Sequence, residues 1–411
     1  MSRPLTTCFP RLGSISAQEA VEQVTAPPPG GRLTTGDERI RVFLSGLAQR
    51  WLEPRLVRRF PELAPLGFFL RRAEGDRLLA PLAPEATRLF VPRGLVVHFP
   101  PSNVETISVY SWALSALAGN SNIVRVSSRS GELVDVVLES LKDALADAHP
   151  AVASTQLFVS YGRDEEATGA LSAGCDLRAI WGGDASVDAI RRHPLRPGAR
   201  DLTFPDRSSF AVIGAAAWLA ARHTVRRTVS EGFYNDSYWF DQAACSSPRA
   251  LFWVGDEPTV QAARMSFREQ MRLTVEARRP VVDTAMAIEK RVAAYGLAVE
   301  ARADAIRFIS NALTFTDLVR PDAVPRTWLG VGTFCESRLD SLSDLAPLMT
   351  RRDQTVSYFG FTPDELRLLA LELGGYGVNR IVPIGSALRF TATWDGYDLM
   401  REFTRILTVQ I

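Results

Sequence analysis

The chain has 411 residues, two to three times the usual domain length of roughly 100–200, which predicts two or three packed units rather than one core. With 46% hydrophobic and 23% charged residues, disorder, a collagen-like repeat and a disulfide scaffold are excluded. Lys+Arg 47 against Asp+Glu 46 leaves a formal net charge of +1, so neither nucleic acid nor an anionic membrane is the expected main partner, since both call for a basic surplus.

Of the basic residues only Lys142 and Lys290 are lysine. Arginine keeps its proton in proteins, so these side chains are suited to binding anions rather than to attacking carbonyls. Cys8, Cys175, Cys245 and Cys335 are widely spaced, without a CxxC or a Cys/His ligand pair. Neither a zinc site nor a redox dithiol is expected, and a reducing cytoplasm is the expected compartment. The N-terminus lacks the apolar stretch of a signal peptide, and the longest low-polarity run, at 211–221, is too short to span a bilayer.

In chain order, the segment to about residue 36 is broken by APPPGG (26–31) and TTG (34–36) and reads as a loop. From Asp37, apolar residues at Ile40, Phe43, Leu44 and Leu47, then Leu56, Phe60 and Leu63, recur at helical spacing among arginines. Between about 90 and 205, strands at 94–99, 122–127, 157–160 and 177–182 alternate with helices at 105–118, 131–147, 163–172 and 184–192. Such alternation predicts a parallel sheet wound on both sides, with a nucleotide-type ligand at the carboxyl ends of its strands. The Pro-, Gly- and charge-rich stretch 193–209 reads as a boundary near 205. A second α/β run follows, with strands at 210–214 and 250–255 and helices at 257–277 and 281–295. It ends in the Gly-rich 374–378, strand-like NRIVPIG and a last helix from about Tyr397.

Several residues could carry chemistry. Cys245 stands in a polar turn just ahead of an apolar strand, a place from which a rigid sheet presents a loop-borne nucleophile; backbone N–H groups or the neighbouring Arg249 could activate it, while the plainer alternative is a small buried filler. Asn103 follows a strand and Pro-Pro, where its amide can donate to a developing oxyanion or cap the next helix. Arg125, Ser127, Ser128 and Arg129 gather at a strand end able to bind a phosphate, or simply to be solvated. His98 lies on the strand leading to Asn103 and is expected to be a packed strand histidine. Cys335 is a second thiol without partner motifs.

Taken together, Asn103, Gly119-Asn120, the basic residue five beyond that Asn, Gly182-Gly183 opening a helix, and Gln242 three before Cys245 resemble the aldehyde dehydrogenase superfamily. Within it, NIVRVSS (122–128), AIWGGDASVDAIRR (179–192), DQAACSSPRALF (241–252) and NRIVPIGSALRFTATWDGYDL (379–399) resemble the acyl-CoA reductases of the bacterial bioluminescence type, the reductase of the fatty acid reductase complex. The resemblance spans roughly 90–405. It implies two doubly wound α/β domains with the active site between them: 1–90 as N-terminal loop and helices on the cofactor domain, 91–205 as the nicotinamide-binding domain, 206–378 as the catalytic domain, and 379–411 as a segment closing the fold.

The same resemblance implies a reaction. Cys245 takes an acyl group from an acyl-CoA or acyl-protein thioester, in the family a long-chain one, and a nicotinamide hydride converts the acyl-enzyme to the aldehyde. The oxyanion donors it implies are the Asn103 side chain and the Cys245 backbone N–H, each worth roughly 3–4 kcal/mol of barrier. Oxidising members carry a glutamate about thirty residues before the cysteine; here Thr203 aligns with it, which disfavours hydrolysis, with Asp206 as the alternative base. Arg125 replaces a common lysine and, with Ser127 and Ser128, favours the 2′-phosphate of NADPH. Gly182 and Gly183 would admit the cofactor pyrophosphate to the helix start, although Asp184 opposes an anion there. An acyl-activating partner enzyme and a homo-oligomer are further expectations. A cysteine acyltransferase or hydrolase without nicotinamide, and a non-catalytic scaffold subunit, are the alternatives.

Overall fold

Runs such as LVVHF and SSFAVIG have no polar face, so a strand made from them must be covered on both sides. The computed structural model, which describes residues 4–101, 106–127 and 131–410, places these runs at the centres of two sheets. The chain divides into two units, one of Met1–Pro205 with Phe390–Ile411 and the other of Asp206–Arg389.

The first unit holds strands β1 (Leu5–Phe9), β2 (Gly13–Ile15), β3 (Arg88–Pro92), β4 (Leu95–Phe99), β5 (Ser121–Val126), β6 (Gln156–Ser160), β7 (Leu177–Trp181) and β8 (Arg200–Phe204). Its main sheet has the order β2-β1-β6-β5-β4-β7-β8, parallel from β6 to β8 and closed by the antiparallel β1. Every residue of β4 and β7 is buried. Helices Thr106–Leu117, Glu132–Leu145, Glu165–Gly174 and Asp184–Arg191 connect the parallel strands, each within a few residues of its expected place.

Two expectations fail here. The opening segment is not a loop: it makes β1, β2 and the helix Ala17–Thr25, whose start is fixed by a reciprocal capping box between Ser16 and Glu19. The stretch 193–209 contains β8, which pairs with β7, and opens the next strand, and the two units divide within it, between Pro205 and Asp206. The end of the chain is not one helix. It forms the hairpin β16 (Thr393–Trp394) and β17 (Tyr397–Asp398), the short helix Leu399–Glu402, and β18 (Thr404–Thr408) antiparallel to β3. Asp395 (φ 48°) and Gly396 (φ 79°) supply the left-handed pair of that hairpin turn.

The GN pair is a structural knot. Gly119 (φ 86°) passes so close to the chain that a Cβ would lie 2.5 Å from the Thr34 carbonyl oxygen. Asn120, fully buried, accepts from the Gly94 N–H at 3.0 Å and donates to the Ser115 and Phe403 carbonyls at 3.1 and 2.8 Å. Trp394 packs against Tyr110 and Trp181, and Trp181 stacks on Phe204 at 3.6 Å, so the C-terminal signature seals an aromatic cluster.

The second unit holds β9 (Ser208–Gly214), β10 (Pro248–Val254), β11 (Ala303–Ser310), β12 (Leu313–Leu318), β13 (Thr333–Leu339), β14 (Asp353–Phe359) and β15 (Arg380–Pro383) in the order β11-β12-β13-β10-β9-β14-β15. All pairs are parallel except β11 with β12. Helices His223–Tyr238 and Glu257–Arg278 cover one face over Trp218, Phe233, Trp253 and Phe267. Lys290, on helix Thr284–Val299, is buried and donates to the Asn311 carbonyl at 2.6 Å. Among the described residues no helix is long and apolar enough to cross a membrane.

Candidate active site

Cys245 lies between helix His223–Tyr238 and β10, and its loop is set by an unusual stretch of backbone. Phe240, Asp241 and Gln242 are consecutive left-handed residues with φ of 54°, 51° and 62°, a conformation that costs side-chain-bearing residues roughly 1–2 kcal/mol each. The surroundings hold it. Buried Gln242 donates through Nε2 to the Pro248 and Thr333 carbonyls at 2.8 and 3.3 Å and accepts the Thr333 N–H at 3.3 Å. The Trp328 indole N–H donates to the Asp241 carbonyl at 2.9 Å. Burial and the neighbouring Asp283 push the Asp241 carboxyl above its ordinary value.

The cysteine itself is fixed from the other side. Ser209 Oγ donates to the Cys245 carbonyl at 2.6 Å and accepts the Thr355 N–H at 3.1 Å, while Ser246 Oγ donates to Gln354 Oε1 at 3.1 Å. Ser209, Pro248, Thr333, Gln354 and Thr355 stand at the amino ends of four adjacent parallel strands, β9, β10, β13 and β14. The thiol is half-buried, whereas Cys175 and Cys335 are fully enclosed and burial pushes their pKa values up to about 11 and about 12. Cys335 is thereby a poor candidate for a nucleophile. Of the loop's anchors only Gln242 was apparent in the sequence. Ser209, Trp328, Gln354 and Thr355 come from segments 36 or more residues away and gave no local signal.

In the first unit, Arg125 and Ser127 lie at the carboxyl end of β5 and Gly182 and Gly183 at that of β7. Only β4 intervenes, which puts the two groups about 10 Å apart along the sheet edge. The Arg125 guanidinium packs over the Tyr161 ring at 4.9 Å and donates to the Gly162 carbonyl at 3.3 Å, but its buried Nε finds no acceptor among the described residues. Gly183 caps helix Asp184–Arg191, whose first-turn amides lack intrahelical acceptors. This edge, with an orphaned guanidinium N–H and a helix start, fits a phosphate-bearing ligand, and the exposed Asp184 works against it. Asn103 and Ser128, with Arg129, lie outside the described residues.

His98 is a core residue: its ring nitrogens lie 2.9 Å from Ser111 Oγ and Asn122 Oδ1, and burial pulls its pKa down to about 4. Thr203 sits half-buried on β8 opposite Ile180. Asp206 is exposed just ahead of β9.

Comparison with known proteins adds the following. The family model for acyl-CoA reductase (LuxC) matches residues 83–406. The long-chain acyl-protein thioester reductase of Aliivibrio fischeri is 26% identical over 167 residues, 40% of this chain and 33% of that protein. The long-chain acyl-protein thioester reductase 2 of Photobacterium leiognathi is 25% identical over 168 residues, again 40% and 33%. The aligned stretch thus spans about a third of these relatives. Among solved structures, an indole-3-acetaldehyde dehydrogenase complexed with NAD+ superposes with a TM-score of 0.67 at 12% identity, over 98% of this chain and 92% of its own. An oxidoreductase from Marinobacter aquaeolei gives 0.69 at 11%, over 100% and 94%. The fold is that of the aldehyde dehydrogenases.

Proposed function

The chain belongs to the acyl-CoA reductase (LuxC) family, and on that premise we propose that it reduces an acyl thioester to the aldehyde through an acyl-enzyme on Cys245. The observation that carries the reading is the half-buried thiol on a strained loop anchored to four strands, while Cys175 and Cys335 are sealed in the core.

In this reading the Cys245 thiolate attacks the thioester carbonyl; the new C–S bond forms, the old one breaks, and the donor's sulfur departs as a thiolate that takes a proton from water. The Cys245 backbone N–H and the Asn103 amide donate to the carbonyl oxygen as its charge grows. When bound, a reduced nicotinamide supplies the hydride that completes the two-electron reduction. Cys245 Sγ is the leaving group as the aldehyde forms, and the thiolate is restored. Arg125, Ser127 and Ser128 hold the adenosine phosphate of NADPH, and Gly182 and Gly183 the pyrophosphate. Thr203 on β8 stands where a carboxylate base would activate water against the acyl-enzyme, and Asp201 on the same strand is paired with Arg178 at 2.7 Å.

The substrate class is a long-chain acyl group carried by CoA or by a protein, with an acyl-activating enzyme as supplier, and the chain works as a cytoplasmic homo-oligomer. Intact-protein mass spectrometry after mixing with a panel of acyl-CoAs tests this. An acyl adduct that is absent in Cys245→Ala and discharged as aldehyde on adding NADPH is expected. An adduct that NADPH leaves untouched and water removes would favour a hydrolase, and no adduct with any donor would leave a scaffold subunit.

A further inference from the structure

Arg249 is the second residue of β10, four after Cys245, and it falls at a break in register. Pro248 pairs with Ser209 and Ala250 with Phe210, so Arg249 is the extra residue of a bulge on the strand that carries the nucleophile loop. A bulge re-aims a side chain out of the ordinary alternation.

The guanidinium is poorly compensated. Nη1 donates to the Arg326 carbonyl at 2.8 Å, while among the described residues the buried Nε finds no acceptor and no carboxylate makes an ion pair with the group. The nearby Arg326 is treated differently, since Asp353 pairs with it through both oxygens. Burial of an unpaired cation costs several kcal/mol unless an anion arrives to meet it. Burial works against the Arg249 charge first; of the charged groups that act on it, Cys245 and Asp206 favour its charge and Arg352 opposes it. Asp206 is exposed and screened by water. That leaves the sulfur as the anion able to complete the pair.

The geometry points to Arg249 as the residue that holds Cys245 as a thiolate: a guanidinium re-aimed by the β10 bulge and left without a carboxylate, so that the ionised sulfur is its counter-ion. Acylation of the sulfur removes that anion and leaves the guanidinium uncompensated, so the same residue favours departure of sulfur as thiolate when the aldehyde forms. The assignment rests on the acyl-enzyme reading for the task of Cys245, but its test does not.

The test is the pH dependence of Cys245 alkylation by iodoacetamide in the full chain carrying Cys8→Ser, which leaves two sealed thiols and the one of interest. The midpoint is expected at least about one pH unit below the ~8.5 of an ordinary thiol, and Arg249→Met should raise it by about one unit, slowing alkylation near pH 7 roughly tenfold. Arg249→Lys should recover part of the shift. A midpoint at or above ~8.5 with Arg249 present overturns the assignment whether or not the Met variant folds. So does an unmoved midpoint in a Met variant that still melts cooperatively. A low midpoint without any acyl adduct would instead remove the acyl-enzyme reading and leave the Arg249 assignment standing.

Discussion

Ser209 Oγ donates to the Cys245 carbonyl oxygen at 2.6 Å and in the same position accepts the Thr355 N–H at 3.1 Å. One hydroxyl thus joins the Cys245 backbone to β9 and β14. Ser209→Ala should cost about 1–2 kcal/mol of stability, the range for a buried hydrogen-bond pair left unmet. Turnover should fall by more than that loss explains, because the cysteine is no longer positioned. Denaturant midpoints and steady-state aldehyde formation measured side by side check this; normal turnover would show that Gln242 and Ser246 hold the loop unaided.

Asp241 combines a left-handed backbone with a carboxyl raised by burial and by Asp283. Asp241→Gly removes both liabilities and should stabilise the protein by up to about 1 kcal/mol, while lowering turnover through a looser approach to Gln242. A drop in melting temperature would count against a strained loop.

His98 gives a pH dependence whose sign is fixed. Its folded pKa, about 4, lies below the ordinary histidine value of 6.5, so between these values the unfolded chain binds the extra proton. The contribution is complete above about pH 6.5 and is lost as pH falls toward 4, amounting to about 3 kcal/mol at most. His98→Gln should flatten the acid side of a melting-temperature profile between pH 7 and 5, and a slope equal to that of the parent would exclude His98 as its source.

For the first unit, Arg125→Glu is expected to move the preference from NADPH toward NADH by roughly tenfold or more, since a 2′-phosphate would meet a carboxylate in place of a guanidinium. The ratio of turnover with the two reductants reports it directly, and an unaltered ratio would dissociate Arg125 from the ribose.

What the sequence made legible follows from where the information lies. β4, β5, β6 and β7 could be drawn within a residue or two because strands covered on both faces are continuous apolar runs. β1 and β2 were hidden by the Pro/Gly breaks at 26–31 and 34–36, although Ser16 and Glu19 spelled out the start of the following helix. In the site, Gln242 and Cys245 share a local motif and could be read together. Ser209, Thr333 and Thr355 meet them only through the register of a seven-stranded sheet, and Asn120 turned out to serve packing because its partners Gly94 and Phe403 lie 26 and 283 residues away.

Burial of Lys290 has a practical corollary. With its ammonium tied to the Asn311 carbonyl, Lys142 on helix Glu132–Leu145 is the remaining side-chain amine, so labelling of lysine by an amine-directed fluorophore would converge on one helix.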